Sequence, residues 1–205
     1  PLTMSAIEIA AARKDDVDEV VEILVNAFRK DPFTLATMKP GQSYGKVMPR
    51  MFRAMVEELF FPYGRIDIAR DDSGAALGVA AWKAPGREPG LIASVRLNSR
   101  LLAAYGRAIR QAGRMERESD RLAPRFPHWY LGFLGVVSEA QGKGVGGRLL
   151  DHGLAQAGDC AAYLESSTPG SQALYERKGF IPLGAAGRGK PWAVVCMWRP
   201  GKVER

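Results

Sequence analysis

One segment in the second half of the chain constrains the fold more than any other. An apolar run at 131–137 predicts a β-strand, and the periodicity that begins near Arg148 predicts a helix. A glycine-rich turn joins them, at Gly142, Gly144, Gly146 and Gly147. A helix whose first turn has almost no side chains presents bare N–H groups and the positive end of its dipole. The segment therefore predicts a strand–turn–helix unit that binds an anion such as a phosphate or pyrophosphate.

Packing alone explains only part of this glycine content. Gly146 and Gly153 fall on the apolar helix face with Leu149, Leu150 and Leu154, where small residues allow a helix to approach a strand closely. That explanation does not account for the polar side of the first turn, which lacks side chains as well. We therefore favour anion binding over packing as the main reason for the glycines.

Length and composition indicate an ordinary globular protein. The 205 residues are 46% hydrophobic and 25% charged, which suits a single domain spanning 1–205. Residues 1–3 precede Met4, and we expect them to be a cloning remnant. No apolar run approaches the roughly 18 residues that a membrane span needs, and no signal-peptide core is visible near the beginning. We expect no membrane partner.

The cysteine content indicates the cellular compartment, and the charge limits the kinds of partner. Cys160 and Cys196 lie far apart in apolar, strand-like contexts, so we expect neither a disulfide nor a metal site, and a cytoplasmic protein. The formal charge is +7, but the basic residues are scattered and no aromatic–basic motif is present, so we expect no nucleic-acid partner. Six arginines on one predicted helix are expected to form a solvated face: Arg96, Arg100, Arg107, Arg110, Arg114 and Arg117.

Hydrophobic periodicity predicts alternating strands and helices, and hence a mixed α/β sheet. The predicted strands are 7–10, 66–69, 75–82, 129–137, 161–165, 180–183 and 192–198. The predicted helices are 15–29, 47–60, 91–118, the glycine-rich helix to about 157, and 171–178. Gly106 and Gly113 are expected to bend the long helix, and 184–190 is expected to be a flexible connection. The predicted inward face of the long helix is Leu91, Val95, Leu102, Tyr105, Ile109 and Ala112.

The glycine turn allows a dinucleotide-binding interpretation, which its position disfavours. Gly142-x-Gly144-x-x-Gly147 matches the dinucleotide fingerprint, and Glu165 lies near the spacing of a ribose-binding acid. A doubly wound cofactor domain places this turn after its first strand, with several βα units to follow. Here only three predicted strands and one short helix remain. A P-loop is excluded because no Gly-Lys-Ser/Thr follows.

A different spacing resembles a known superfamily. Gln141-x-x-Gly144-x-Gly146, between a strand and a helix, is similar to the pyrophosphate-binding signature of the GNAT superfamily of N-acetyltransferases. Downstream, the segment 173–180 resembles the second conserved block of the same superfamily. The segments 128–131, 164–169 and 195–198 look especially like the puromycin N-acetyltransferase branch. The strong resemblance covers about residues 128–198, where the acetyl-CoA-binding motifs lie.

The resemblance implies the GNAT fold, a central, mostly antiparallel sheet of about seven strands flanked by helices. It also implies acetyl-CoA as the cosubstrate, held by backbone N–H groups without a metal. In this superfamily the strand before the loop splays from its neighbour, and an N–H near Val137 could bind the oxygen that becomes negative during acyl transfer. The implied cofactor-binding residues are Val136, Val137, Gln141, Gly142, Lys143, Gly144, Val145, Gly146, Gly147, Arg148, Ser171 and Tyr175.

Two residues are the catalytic candidates. The family places a tyrosine near the sulfur of CoA, and Tyr175 matches that position, where it could protonate the departing thiolate. No acid lies on the strand 129–137, so Glu165 at the end of the next strand is the closest candidate for the base. Ser171 stands where the family often has asparagine, and a helix N-cap role is equally open for it.

The implied reaction is direct transfer of an acetyl group from acetyl-CoA to a primary amine of a small molecule or peptide. A protein N-acetyltransferase is the alternative within the same class. A catalytically silent acyl-CoA-binding sensor is the alternative from another class. The absence of an Asp or Glu on the strand 129–137 favours this alternative. The sequence is compatible with a monomer or a homodimer.

Overall fold

The computed structural model describes residues 6–202, and the expectation for residues 1–3 lies outside this range. Seven strands form a single sheet in the order β1-β2-β3-β4-β5-β7-β6. The strands are β1 (Glu8–Ala11), β2 (Gly64–Arg70), β3 (Ala76–Lys83), β4 (Trp129–Val136), β5 (Ala162–Ser166), β6 (Ile181–Ala186) and β7 (Val194–Arg199). Every neighbouring pair is antiparallel except β4 and β5, which are parallel. The predicted mixed, mostly antiparallel sheet is confirmed.

Eight α-helices accompany this sheet in the described part of the chain, and none is long and apolar enough to span a bilayer. They are α1 (Val17–Ala27), α2 (Pro32–Ala36), α3 (Tyr44–Met55), α4 (Phe61–Tyr63), α5 (Leu91–Tyr105), α6 (Ile109–Ser119), α7 (Val145–Ala157) and α8 (Pro169–Arg177). A π-helical turn, Val56–Phe60, joins α3 to α4.

The hydrophobic core lies on both faces of the sheet, and β3 shows why. Successive side chains of a strand point to opposite faces. Val79 and Ala81 join the cluster under α1 and α3, whereas Ala80 and Trp82 join the cluster under α7. A strand covered on both faces reads as a continuous apolar run, which is the pattern that 75–82 presents.

The long predicted helix is broken at Gly106, which has a φ of 51° that other residues rarely adopt. Gly113, by contrast, lies inside α6. The predicted inward face is wrong for α5, because Leu91, Val95 and Leu102 are 82%, 60% and 53% exposed. Only the end of α5 and the start of α6 reach the core beneath α3, through Ala104, Tyr105, Ala108 and Ala112.

Two further expectations are corrected. Strand β6 continues to Ala186, so part of the predicted flexible connection is paired with β7, around an irregularity between Pro182 and Gly184. The expected solvated face of six arginines holds for all but Arg100, which is half-buried. Arg100 Nη1 and the exposed Arg96 Nε contact the buried Glu58 at 2.8 and 2.6 Å. The π-helical turn of Glu58 and the short helix α2 were not predicted, since neither is long enough to show a hydrophobic period.

Substituting Gly153 by alanine tests the close packing of α7 on the sheet. A Cβ there would lie 2.5 Å from Nε1 of the fully buried Trp82, which has no room to move. We expect Gly153→Ala to lower the free energy of unfolding by about 1–3 kcal/mol, measured by urea denaturation. Gly113→Ala is the matched helix-interior control, because its Cβ meets only the end of the Arg117 side chain. Equal stability of the two variants would contradict the packing role.

Candidate active site

The site begins where two parallel strands separate. Strands β4 and β5 pair at only three positions, which end at Leu131 and Leu164. Beyond them β4 continues to Val136 without β5 beside it. The separation opens a groove of about 520 Å³, whose wall includes Gly132, Leu134 and Val136. The splay that the resemblance implies is therefore present.

A β-bulge at Gly132 sets the direction of the backbone groups in this groove. In the pairing with β3, Ala81 faces Phe133 while Trp82 faces Leu131, so Gly132 is the extra residue. A Cβ on Gly132 would overlap the ring of the buried Phe60, so that ring fixes glycine at the bulge.

Val137 is not placed as predicted. Its N–H donates to the carbonyl of Leu77 at 3.0 Å, so it is not available to an oxygen in the groove. Strand N–H groups alternate in direction. Since the N–H of Val137 points toward β3, the N–H groups of Leu134 and Val136 point the opposite way, into the groove where β5 no longer pairs with β4. These two groups replace Val137 as the candidate donors.

The glycine-rich turn holds α7 with its N-terminus open. Gly144 is the N-cap at φ 80°, a left-handed conformation, and no side chain caps the helix. The Gln141 side chain donates to the carbonyl of Val136 at 3.1 Å and fixes the loop to the end of β4. The first-turn N–H groups of α7 are thus aligned at one end of the groove, as an anion site requires.

The other predicted cofactor-binding residues occupy distinct places around this turn. Gln141, Gly146 and Val136 line the groove itself. The side chain of Val145 is buried in the core, which leaves only its backbone for a ligand. Other predicted residues lie on the same loop and helix turn, beside the groove: Gly142, Lys143, Gly144, Gly147 and Arg148.

Ser171 lies in the groove wall, but its hydroxyl already has partners. Helix α8 begins at Pro169 rather than at the predicted Ser171, and Thr168 is its N-cap. The Ser171 hydroxyl contacts the hydroxyls of Ser166 at 2.7 Å and Thr168 at 2.9 Å. Ser171 is therefore the third residue of the helix in a capping box, and the predicted N-cap role belongs to Thr168 instead.

Tyr175 lies on α8 and lines the groove. It is buried, and its ring packs edge-on against Phe180 with the centroids 5.9 Å apart. Burial, with the nearby charges of Asp31 and Glu165, raises the pKa of Tyr175 well above its usual value. The phenol therefore keeps its proton at neutral pH, as a general acid must before it acts.

Glu165 lies on β5 opposite Cys196 of β7 and lines the same groove as Tyr175. Burial, together with the charge of Glu116, raises its pKa to about 8. Hydrogen bonding by Tyr130 and Tyr163 acts in the opposite direction. A carboxyl with this pKa is a much stronger base than an exposed glutamate when it is ionised.

The far wall of the groove comes from the end of α1 and the residues that follow it, and the sequence did not predict it. Asn26 accepts a hydrogen bond from Ser138 N at 3.0 Å, and Arg29 and Lys30 bring positive charge to the same wall. Asp31 caps α2 through Thr34 N at 2.8 Å and also accepts from the hydroxyl of Ser167. The Asp31-Pro32 pair was the available signal, since it is typical of a helix start.

Comparison with known proteins assigns the family. A family model described as the acetyltransferase (GNAT) family matches residues 52–180, more than half of the chain. The chain belongs to the GNAT family. A solved structure from Corynebacterium glutamicum, described as histone acetyltransferase HPA2 and related acetyltransferase, is 33% identical and has a TM-score of 0.79. The match covers 97% of this chain and 98% of that one.

More distant acetyltransferase structures share the fold. A GNAT acetyltransferase from Brucella melitensis, in complex with acetyl-CoA, is 19% identical over 98% of this chain and 96% of that one, with a TM-score of 0.50. A mosquito arylalkylamine N-acetyltransferase like 5b is 18% identical, with a TM-score of 0.67 and coverage of 95% and 99%. The protein is an acetyltransferase that uses acetyl-CoA, and the likeness to the puromycin N-acetyltransferase branch stays a prediction.

The residues of this GNAT protein fit acetyl-CoA. The uncapped N-terminus of α7 matches a pyrophosphate, and a Cβ on Gly146 would fill space 3.6 Å from Val136 at the groove wall. The free edge of β4 can pair with an amide-containing arm, because its N–H groups lack a strand partner. Within residues 6–202, no group of three or more His, Cys, Asp or Glu is arranged to hold a metal ion.

Replacing Gly146 by two residues of equal size separates anion binding from packing. Aspartate stabilises the first turn of a helix but repels a pyrophosphate there, whereas asparagine has the same shape without the charge. We expect Gly146→Asp to bind acetyl-CoA at least about tenfold more weakly than Gly146→Asn, by isothermal titration calorimetry. The melting temperature of the Asp variant should be no lower. Equal affinities would show that this turn does not hold the anion.

Proposed function

We propose that this GNAT protein transfers the acetyl group of acetyl-CoA directly to a primary amine of a small molecule or peptide, and that the chain acts as one transferase domain. The observation that carries the proposal is that Tyr175 and Glu165 line one groove, which ends at the open N-terminus of α7. A proton donor and a base are thus on the same path as the cofactor site. The two cysteines lie outside this groove wall, which is consistent with transfer without a covalent enzyme intermediate.

Binding and polarisation depend on backbone groups. Acetyl-CoA supplies the acetyl group as a thioester. The N–H groups of Val145, Gly146 and Gly147 at the start of α7 hold its pyrophosphate. The N–H groups of Leu134 and Val136 face the gap between β4 and β5, where they pair with the extended arm and donate to the carbonyl oxygen as it becomes negative.

Two side chains move protons. Glu165, in its ionised form, takes the proton that the acceptor ammonium must lose before its nitrogen attacks the carbonyl carbon. A carbon–nitrogen bond forms as the carbon–sulfur bond breaks. Tyr175 gives its proton to the departing thiolate, and the nitrogen loses its second proton to solvent as the amide forms. Solvent then returns a proton to Tyr175 and takes the one held by Glu165, so one proton is released in each turnover. Each residue acts in the protonation state that its transfer requires.

A protein acceptor is the second candidate, and the name of the Corynebacterium glutamicum structure supports it. Charge favours the small-molecule acceptor instead. The formal charge of this chain is +7, and a strongly cationic protein repels a basic peptide at long range. A sensor that only binds acyl-CoA would not need Tyr175 and Glu165 in the same groove. Release of thiol in the presence of any amine would exclude this alternative.

Tyr175→Phe tests the proposed general acid. The variant keeps the ring that packs on Phe180, so it should fold and bind acetyl-CoA normally. We expect kcat to fall by about 100-fold or more, because the thiolate leaves without a proton donor. Thiol release with a panel of primary amines measures this, and Tyr105→Phe, a buried tyrosine outside the groove wall, is the control. Unchanged kcat would remove Tyr175 from the mechanism.

The pH profile tests the proposed base. Glu165 acts only when ionised, and its pKa is raised to about 8, so kcat/KM should rise with pH through about 8. Glu165→Gln should lower kcat/KM and abolish this rise, leaving only the ionisation of the acceptor amine at higher pH. Glu139→Gln, on the exposed loop, should keep the wild-type profile. A rise near pH 8 that survives in Glu165→Gln would assign the base elsewhere.

A further inference from the structure

A second cavity adjoins the cofactor groove on its other side. It has a volume of about 110 Å³. The groove and the cavity share Phe28, Asp31, Gly132, Glu165 and Ser167 as lining residues, so these residues form the boundary between them. A molecule in the cavity would therefore contact the same carboxyl, that of Glu165, that faces the groove.

The apolar wall of this cavity is aromatic and rigid. Phe133 and Phe60 line it with ring centroids 5.3 Å apart, and Phe28 packs on Phe133 at 5.8 Å. Phe60 is fully buried beneath the bulge of β4, so this wall cannot rearrange freely. Phe33 contributes a further ring, held edge-on against Trp192 at 5.9 Å. Such walls accept a flat apolar group through stacked or edge-to-face contacts.

The polar part of the cavity carries negative charge. Glu116 of α6 and Glu165 of β5 both line it, and the described lining residues include no lysine or arginine. Glu116 as a whole residue is exposed, but burial of its carboxyl and the charge of the nearby Asp120 together raise its pKa to about 7. Glu116 in turn raises the pKa of Glu165. A cation between the two carboxylates would relieve this repulsion and favour their ionised forms.

The size of the cavity limits the acceptor. Apolar cavities of about 150 Å³ bind benzene, whereas drug-sized ligands occupy pockets of about 300–1,000 Å³. The cavity of about 110 Å³ therefore has room for no more than a single ring, and a short chain attached to that ring would extend toward the groove, with which the cavity shares its boundary.

We propose that this cavity is the acceptor subsite and that it takes an arylalkyl amine, with the ring against Phe33, Phe60 and Phe133 and the ammonium between Glu116 and Glu165. The proposal rests on the proposed function, because it names the acceptor of that reaction. Glu116 is then a residue that determines specificity by binding the cation, while Glu165 both binds it and takes its proton.

Acceptor preference is the first test. Thiol release is measured at saturating acetyl-CoA with 2-phenylethylamine, n-butylamine and a lysine-containing peptide. We expect kcat/KM for 2-phenylethylamine to exceed that for butylamine by about tenfold or more, since burial of one ring contributes that much. Preference for butylamine or for the peptide would overturn the acceptor class and leave the proposed function intact.

A charge-specific variant is the second test. Glu116→Gln should raise KM for 2-phenylethylamine by about tenfold, since a charged hydrogen bond is lost, and should not change the Kd of acetyl-CoA. The inhibition constant of 2-phenylethanol, which has the ring but no charge, should stay unchanged in the same variant. Glu118→Gln is the matched control, because Glu118 lies on the same helix but binds Gly187 N outside this cavity. An unchanged KM in Glu116→Gln would overturn the cation site.

Binding without turnover separates the two proposals. The protein saturated with CoA is titrated with 2-phenylethylamine by calorimetry, and wild type and Glu116→Gln are compared. Binding that weakens in the variant, with no acetylation of any amine, would leave the subsite standing and overturn the proposed function. No binding to the wild type, with butylamine or the peptide acetylated, would overturn the subsite alone.

Discussion

The whole site depends on the separation of β4 from β5 after three paired positions. Strand N–H and carbonyl groups need partners, and a parallel pair that opens leaves two unsatisfied edges facing each other. The protein leaves these edges to a ligand instead of closing them with another strand. The uncapped N-terminus of α7 lies at the end of the same opening, so one gap offers donors to both an extended arm and an anion.

Gly132 links this opening to the core. The bulge reverses which N–H groups face the gap, and it requires glycine because the ring of Phe60 occupies the space that a Cβ would need. The same ring is a wall of the acidic cavity. The packing of the core and the shape of the site therefore depend on the same aromatic ring. A change that loosened Phe60 would move the polarising groups on β4 and the cavity wall together.

Local patterns predicted the cofactor side of the site, and tertiary contacts determined the rest. The glycine turn and the α8 tyrosine each lie in a short local motif, so the resemblance of these motifs to the superfamily identified Gln141, Gly146 and Tyr175 as candidates. Asp31 and Glu116 come from helices distant in sequence, and no local period indicates that they face Glu165. Periodicity also failed on α5, because it identifies an apolar stripe but not whether the core reaches it, and Leu91 and Val95 are exposed.

Charge divides the site along the boundary formed by Asp31, Gly132 and Glu165. The groove side carries Arg29, Lys30 and the helix N-terminus of α7, within a protein of formal charge +7, and therefore attracts an anionic cofactor at long range. The cavity side carries carboxylates that act on a cation only at short range, because solvent and salt screen them beyond about 10 Å. In the proposed reaction an ammonium becomes a neutral amide at this boundary. The product then loses the attraction to Glu116 and Glu165 that held the acceptor, so the chemical step itself favours its release.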